Sequence, residues 1–242
     1  MVVLIHYLPH NCLEEIGGLK VFSVLAGLRY IDPPGGQCSQ RRSRWMKLSE
    51  ARRDVYRRMA RNRGYRSRSA YKLLQINYSY HLLGPHNRVV DLGSAPGGWL
   101  QVVKECVGVG GVIIGVDTRQ IEPIEGVTIL RASIEDRKVA NIILSLFGHK
   151  ADIVLSDLSP NLSGIWDLDH SRQISLTRSA LGVAQNILRK DGTSVFKVFE
   201  GDLYDALKKE IKNHFDQIYV NKPKASRQRS SEQYFVCFGF KG

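Results

Sequence analysis

The segment Val89-Val90-Asp91-Leu92-Gly93-Ser94-Ala95-Pro96-Gly97-Gly98-Trp99 restricts the fold more than any other part of the chain. A short apolar run ends in an acid, and a glycine-rich turn then opens into a helical pattern. Glycine lets the backbone approach a bound molecule with no Cβ between them, which is how a strand delivers a small ligand to a helix N-terminus. The same pattern continues downstream. Strands are expected near residues 88–92, 112–117, 127–130, 151–156, 193–199, 216–221 and 233–240, with helical patterns between them, notably 99–107 and 173–189. Leu203, Leu207, Ile211 and Phe215 add an apolar stripe behind Asp202, the expected N-cap. Such alternation implies an α/β, Rossmann-like fold. Its sheet is expected to be parallel and covered by helices on both faces, with ligands at the strands' C-terminal ends.

A chain of 242 residues holds one such domain and an extension. Residues 1–45 form the expected extension, because the breaker-rich run Asp32-Pro33-Pro34-Gly35-Gly36-Gln37 closes a poorly patterned stretch. Residues 46–242 form the expected domain, and Met46 is an alternative start of translation. From there Leu48, Ala51, Val55 and Met59 give a helix with one apolar stripe and a basic opposite face. Ser67 or Ser69 is expected to cap a second helix with Ala70, Leu73 and Leu74 inward and Lys72 on the exposed side.

The net charge is +12, and residues 41–68 carry twelve Lys/Arg against two Asp/Glu. That concentration is the electrostatic footprint of a protein that binds a phosphate backbone. Tyr56, Tyr65 and Tyr71 are interleaved with the arginines and are expected to stack on unpaired bases, which favours RNA over a merely solvated basic helix. Cys12, Cys38, Cys106 and Cys237 show no paired spacing, so neither disulfides nor zinc are expected and a reducing cytoplasm fits. The histidines form no metal-ligand grouping. No apolar stretch spans a bilayer, and Val2-Val3-Leu4-Ile5 lacks the basic flank of a secretory signal.

Asp117 ends the run Val112-Ile113-Ile114-Gly115-Val116, about 20 residues past the glycine turn, where an acid accepts hydrogen bonds from ribose hydroxyls. Turn and acid together leave a nicotinamide dinucleotide, a nucleotide and S-adenosylmethionine open. The turn is not G-x-G-x-x-G, and the chain has no G-x-x-x-x-G-K-[ST] phosphate loop, which weakens dehydrogenase and ATPase readings. Asp157 follows the apolar run Ile153-Val154-Leu155. Lys197 lies inside Ser194-Val195-Phe196-Lys197-Val198-Phe199, where apolar neighbours are expected to desolvate the ammonium and lower its pKa towards that of a general base. Lys222-Pro223-Lys224-Ala225-Ser226-Arg227 leads through Arg229-Ser230-Ser231 to Glu232, a loop suited to phosphate contacts.

From about Met46 to the C-terminus the chain resembles the FtsJ/RrmJ (RlmE) family of S-adenosylmethionine-dependent RNA ribose 2′-O-methyltransferases. The resemblance rests on Ser67-Arg68-Ser69-Ala70-Tyr71-Lys72-Leu73, the Asp91–Trp99 segment, Ser156-Asp157-Leu158-Ser159-Pro160-Asn161, Phe196-Lys197-Val198-Phe199, and Lys222-Pro223 through Glu232-Gln233-Tyr234. It implies a seven-stranded, mostly parallel sheet with an antiparallel last strand, and a catalytic tetrad of Lys72, Asp157, Lys197 and Glu232, with cofactor contacts at Gly97, Trp99, Asp117 and Asp157. Lys197 is the implied base, with Lys72 depressing its pKa. One position departs from the family: Ser133 stands where an acid typically faces the adenine, and Asp136 is the nearby substitute. The implied reaction is metal-free methyl transfer to a ribose 2′-hydroxyl, with a uridine of large-subunit ribosomal RNA as acceptor and the protein acting as a monomer. A transfer RNA ribose, and a non-catalytic RNA-binding or ribosome-assembly module on the same fold, are the alternatives.

Overall fold

The computed structural model describes residues 55–227 and 230–242. The expected extension over 1–45, the alternative start at Met46 and the first part of the basic helix lie outside the described residues.

Helical residues 55–62 (α1) precede α2 (Ala70–Tyr80), β1 (Arg88–Leu92), α3 (Gly98–Val107), β2 (Val112–Asp117) and β3 (Val127–Arg131). Then come α4 (Val139–Phe147), β4 (Ala151–Ser156), α5 (Trp166–Ile187), β5 (Leu188–Phe199), α6 (Tyr204–Lys212), β6 (Phe215–Asn221) and β7 (Glu232–Phe240). The strands form one sheet in the order β3-β2-β1-β4-β5-β7-β6. β7 runs antiparallel to both neighbours, and every other pairing is parallel. This is the Rossmann-like arrangement expected from the alternating pattern.

Successive strand residues point to opposite faces, and here parity decides where the chemistry sits. Val89, Ile113, Ile153, Val195 and Tyr234 pack with α2 and α3 residues such as Leu73, Ile76, Trp99 and Val103. Val90, Ile114, Val154, Phe196 and Phe235 pack on the other side with Ile143, Ala184, Ile187 and Leu207 of α4 to α6. Counting by twos from the first set reaches Asp91, Asp117, Asp157, Lys197 and Glu232. The polar residues therefore gather at one end of the sheet, on the α2–α3 face.

Several local expectations need correction. α5 begins at Trp166 rather than near 173, because its first turn is fixed by Asp169, which the apolar period does not register. α4 is not singled out by sequence, since Val139-Ala140-Asn141-Ile142-Ile143-Leu144-Ser145-Leu146-Phe147 is apolar almost throughout and fits strand or helix alike. Leu203, not Asp202, holds the N-cap position of α6. Ser69 precedes α2 as expected, but its hydroxyl bonds Ser67 Oγ at 2.6 Å instead of capping the helix. The tyrosines are not a stacking surface. Tyr65 and Tyr71 are buried, and Tyr71 packs on both Tyr56 (5.6 Å between centroids) and Tyr65 (5.9 Å).

Candidate active site

The turn after β1 is a close-packed cradle. Gly93 has φ +79°, and a Cβ there would fall 2.8 Å from Leu158 Cδ2. Gly97 has φ +107° and is the N-cap of α3. Asp117 ties the turn to β2: its Oδ2 accepts the Ala95 N–H at 2.8 Å, and its Oδ1 accepts the Arg119 N–H at 2.8 Å. The Arg66 guanidinium donates to the carbonyls of Glu122 (2.6 Å) and Pro123 (2.9 Å), so this arginine of the basic run is spent on the fold. Trp99 is buried, donates its indole N–H to the Ser69 carbonyl at 2.8 Å, and packs its ring 5.8 Å from that of Tyr234.

Asp91 gives the cradle its chemical character. Both of its carboxylate oxygens are buried and accept no hydrogen bond among the described residues. Burial pushes its pKa well up, and the charges of Asp157 and Asp117 push it further. Unpartnered, buried Asp91 oxygens beside Asp117 and Asp157 suit a ligand that brings hydrogen-bond donors or positive charge, and they oppose a pyrophosphate. Gly97, Trp99 and Asp117 all belong to this cradle. Ser133 lies just past β3, half-buried, and its Oγ accepts the Glu135 N–H at 3.2 Å. Asp136 is exposed, and its carboxylate takes the Lys138 N–H at 2.9 Å where α4 begins.

Beside the cradle, Lys72, Asp157, Lys197 and Glu232 converge from four separate elements or their edges. Lys72 Nζ lies 2.6 Å from Glu232 Oε1. Lys197 Nζ lies 3.2 Å from Glu232 Oε2 and 3.4 Å from Asp157 Oδ1. Tyr234 closes the ring, donating to Asp157 Oδ1 at 2.7 Å and accepting from Lys72 Nζ at 3.3 Å. Lys72 is 9% exposed, contrary to the surface position expected from its helical wheel. A wheel registers only the helix's own stripe, whereas α2 also abuts the rim of the sheet where Glu232 waits.

The expected depression of the Lys197 pKa is also reversed. Burial is the largest influence and lowers it, but the charges and hydrogen bonds of Asp157 and Glu232 together raise it above the ordinary lysine value. For Glu232 burial pulls upward, yet Lys72, Lys197 and a hydrogen bond from Ser226 (2.8 Å) bring its pKa down to about 2. The resting site is thus a set of ion pairs with ammonium groups at its centre. Sequence reasoning missed several supports. β4 and β5 stop pairing at Ser156 and Phe196, so the next carbonyl, that of Lys197, has no ladder partner on that side. Gln173 Nε2 (3.0 Å) and Thr177 Oγ1 (2.9 Å) supply donors from α5. Gln173 and Thr177, polar residues four apart on the buried face of α5, were the available signal. Among the described residues no cluster of His, Cys, Asp and Glu has the makings of a metal site, and no helix is long and apolar enough to cross a membrane.

The sheet order, with its one antiparallel insertion, and a glycine cradle flanked by acids define a Rossmann-like methyltransferase fold. The chain belongs to the FtsJ-like methyltransferase family, whose sequence model matches residues 65–240. It is 45% identical over 197 residues to a protein of Nitrosopumilus maritimus named Ribosomal RNA large subunit methyltransferase E, a match covering 81% of this chain and all of that one. A protein of the same name from Methanothrix thermoacetophila is 45% identical over 189 residues, covering 78% of this chain and 73% of the relative. A Plasmodium falciparum crystal structure described as a putative ribosomal RNA methyltransferase superposes with a TM-score of 0.67 at 30% identity, covering 74% of this chain and all of that one.

Proposed function

We propose that this protein transfers the methyl group of S-adenosylmethionine to a ribose 2′-hydroxyl of RNA, with a uridine of large-subunit ribosomal RNA as the acceptor. The observation that carries the reading is the ion-pair ring of Lys72, Glu232, Lys197 and Asp157 at the rim of an acidic cradle. The names of the archaeal relatives support the choice of acceptor. S-adenosylmethionine, when bound, supplies an electrophilic methyl on a sulfonium that leaves as a neutral thioether.

A secondary alcohol is a weak nucleophile until its proton departs, so a base beside the hydroxyl is the central requirement. Lys197 fills that role from the strand end. In the neutral form, reached once the ammonium has released a proton to solvent, its Nζ takes the 2′-hydroxyl proton while the oxygen forms its bond to the methyl carbon. Asp157 and Glu232 aim the amine and stabilise the ammonium once the proton has moved. Lys72 shares Glu232 with Lys197 and so weakens that carboxylate's hold on the base. Gly97, Trp99 and Asp117 hold the cofactor, and Ser133 offers a neutral oxygen where relatives of the family place an acid. Alignment of acceptor and donor supplies much of the remaining rate.

Incubation of the protein and methyl-labelled cofactor with separate ribosomal RNA, transfer RNA and ribosomal-subunit fractions tests the reading. The label is expected on one ribose of large-subunit RNA. Label confined to transfer RNA overturns the choice of acceptor. Cofactor binding with no label in any fraction would favour a non-catalytic RNA-binding module.

A further inference from the structure

A groove of about 340 Å³ is lined by Leu162, Gly164, Trp166, Asp169, Phe199, Ser230 and Ser231. Its volume falls in the range of small-ligand sites. The groove adjoins the ring through two strands. Phe199 lies two residues beyond Lys197 on the same face of β5, a separation of about 6–7 Å along the strand. It pairs in register with Glu232, whose chain neighbour Ser231 forms part of the wall.

Trp166 is the unusual feature of this groove. It is 48% exposed, although it is the largest apolar side chain in the region. Its ring is stacked on those of His170 (5.7 Å, 19°) and Phe199 (6.2 Å, 23°). The mounting is rigid. Asp169 accepts the Ser163 N–H and hydroxyl at 2.7 and 2.8 Å and the Gly164 N–H at 3.1 Å, fixing the turn from which Trp166 emerges. His170 is buried and its Nε2 accepts the Leu203 N–H at 3.1 Å, which fixes the ring beneath. About half of the Trp166 side chain nonetheless faces solvent, and a fixed aromatic ring so exposed matches how proteins receive an unstacked base. The serine hydroxyls on the wall both donate and accept hydrogen bonds, as a base edge requires. Lys222 and Arg227, exposed on the loop that leads towards Ser230, add positive charge suited to flanking phosphates.

We propose that this groove takes the base of the nucleotide whose ribose is methylated, stacked on Trp166. The proposal rests on the reading of the site as an RNA ribose methyltransferase. With the base on Trp166, the attached ribose reaches towards Lys197, two residues from the groove-lining Phe199 on β5. Trp166 is therefore a positioning residue: it sets where the ribose lies and does not touch the reacting atoms.

The test uses the full chain with Trp166→Ala and Trp166→Phe, assayed on the RNA fraction that the parent protein labels. Trp166→Ala is expected to lower kcat/KM for RNA by about tenfold to a hundredfold. Trp166→Phe should recover most of that loss, and cofactor affinity measured by calorimetry should be unchanged in both. Titration with the same RNA should quench a tryptophan fluorescence component that is absent from Trp166→Phe. Parent-like kcat/KM in Trp166→Ala, or identical quenching in the parent and Trp166→Phe, overturns the proposal. If Trp166→Ala does not fold, the quenching comparison decides alone. Failure of the parent to label any RNA would instead remove the functional reading, and quenching by a protein partner rather than RNA would assign the groove to that partner.

Discussion

Lys197 and Glu232 make the site's pH response calculable in sign. Lys197 is held above the ordinary lysine value: burial opposes this, but Asp157 and Glu232 outweigh it. Its neutral form is therefore a small fraction near neutrality and grows about tenfold per pH unit, so a chemistry-limited rate should climb steadily between about pH 7 and 9. Glu232→Gln removes one of the two carboxylates and should move the pH–rate profile to lower pH. An unmoved profile would contradict Lys197 as the titrating base. Glu232 governs the acid side. Its carboxyl falls from 4.5 to about 2 in the fold, so its contribution is complete above the unfolded value and is lost as pH drops from 4.5 towards 2. That contribution is about 3 kcal/mol. Acid unfolding followed by circular dichroism should show a shallower limb in Glu232→Gln. The four members of the ring were legible as residue types in family motifs, whereas their state was not. The apolar flanks of Lys197 announce desolvation, but no spacing announces two carboxylates arriving from β4 and β7. Tyr234 was hidden for the same reason, because it reads as one more apolar strand residue until its hydroxyl meets Asp157.

At the scale of elements, the turn between β1 and α3 is the most sensitive joint. Gly93 combines φ +79° with a virtual Cβ 2.8 Å from Leu158, the residue that follows Asp157. Gly93→Ala should cost about 1–3 kcal/mol of stability from backbone strain and overpacking. It should also lower cofactor affinity at least tenfold, because Leu158 can only yield by displacing the tip of β4; calorimetry and thermal melting read both effects. The strands were the most legible elements, since apolar runs bounded by glycine, acid or polar turns leave little freedom in placing them. Helix starts were less so. α5 begins where Asp169 gathers the amides of Ser163 and Gly164, a tertiary hydrogen-bond device that leaves no mark on hydrophobic periodicity.

For the whole molecule, the uneven charge remains the main feature outside the catalytic end. Arg57, Arg58 and Arg61 are exposed on α1, whereas Arg66 is committed to the carbonyls of Glu122 and Pro123. Replacing the three exposed arginines with Gln should weaken RNA binding across sequences and reduce the slope of log affinity against log salt by about one for each phosphate that is no longer neutralised. An unchanged slope would assign RNA binding to other surfaces. The charge bias was plain from composition, but the interleaved tyrosines misled. Tyr56, Tyr65 and Tyr71 pack on one another because a basic helix still needs an apolar underside to attach it to the sheet. Which aromatic residues face solvent is a property of tertiary packing, and Trp166 shows the converse case.

The most direct test of the central claim compares the parent protein with Lys197→Ala in single-turnover methyl transfer to large-subunit ribosomal RNA, with cofactor affinity measured on the same preparations. Loss of transfer with cofactor affinity preserved is the predicted result. Full transfer by Lys197→Ala would contradict the account, because the proton of the acceptor hydroxyl would then leave by another route.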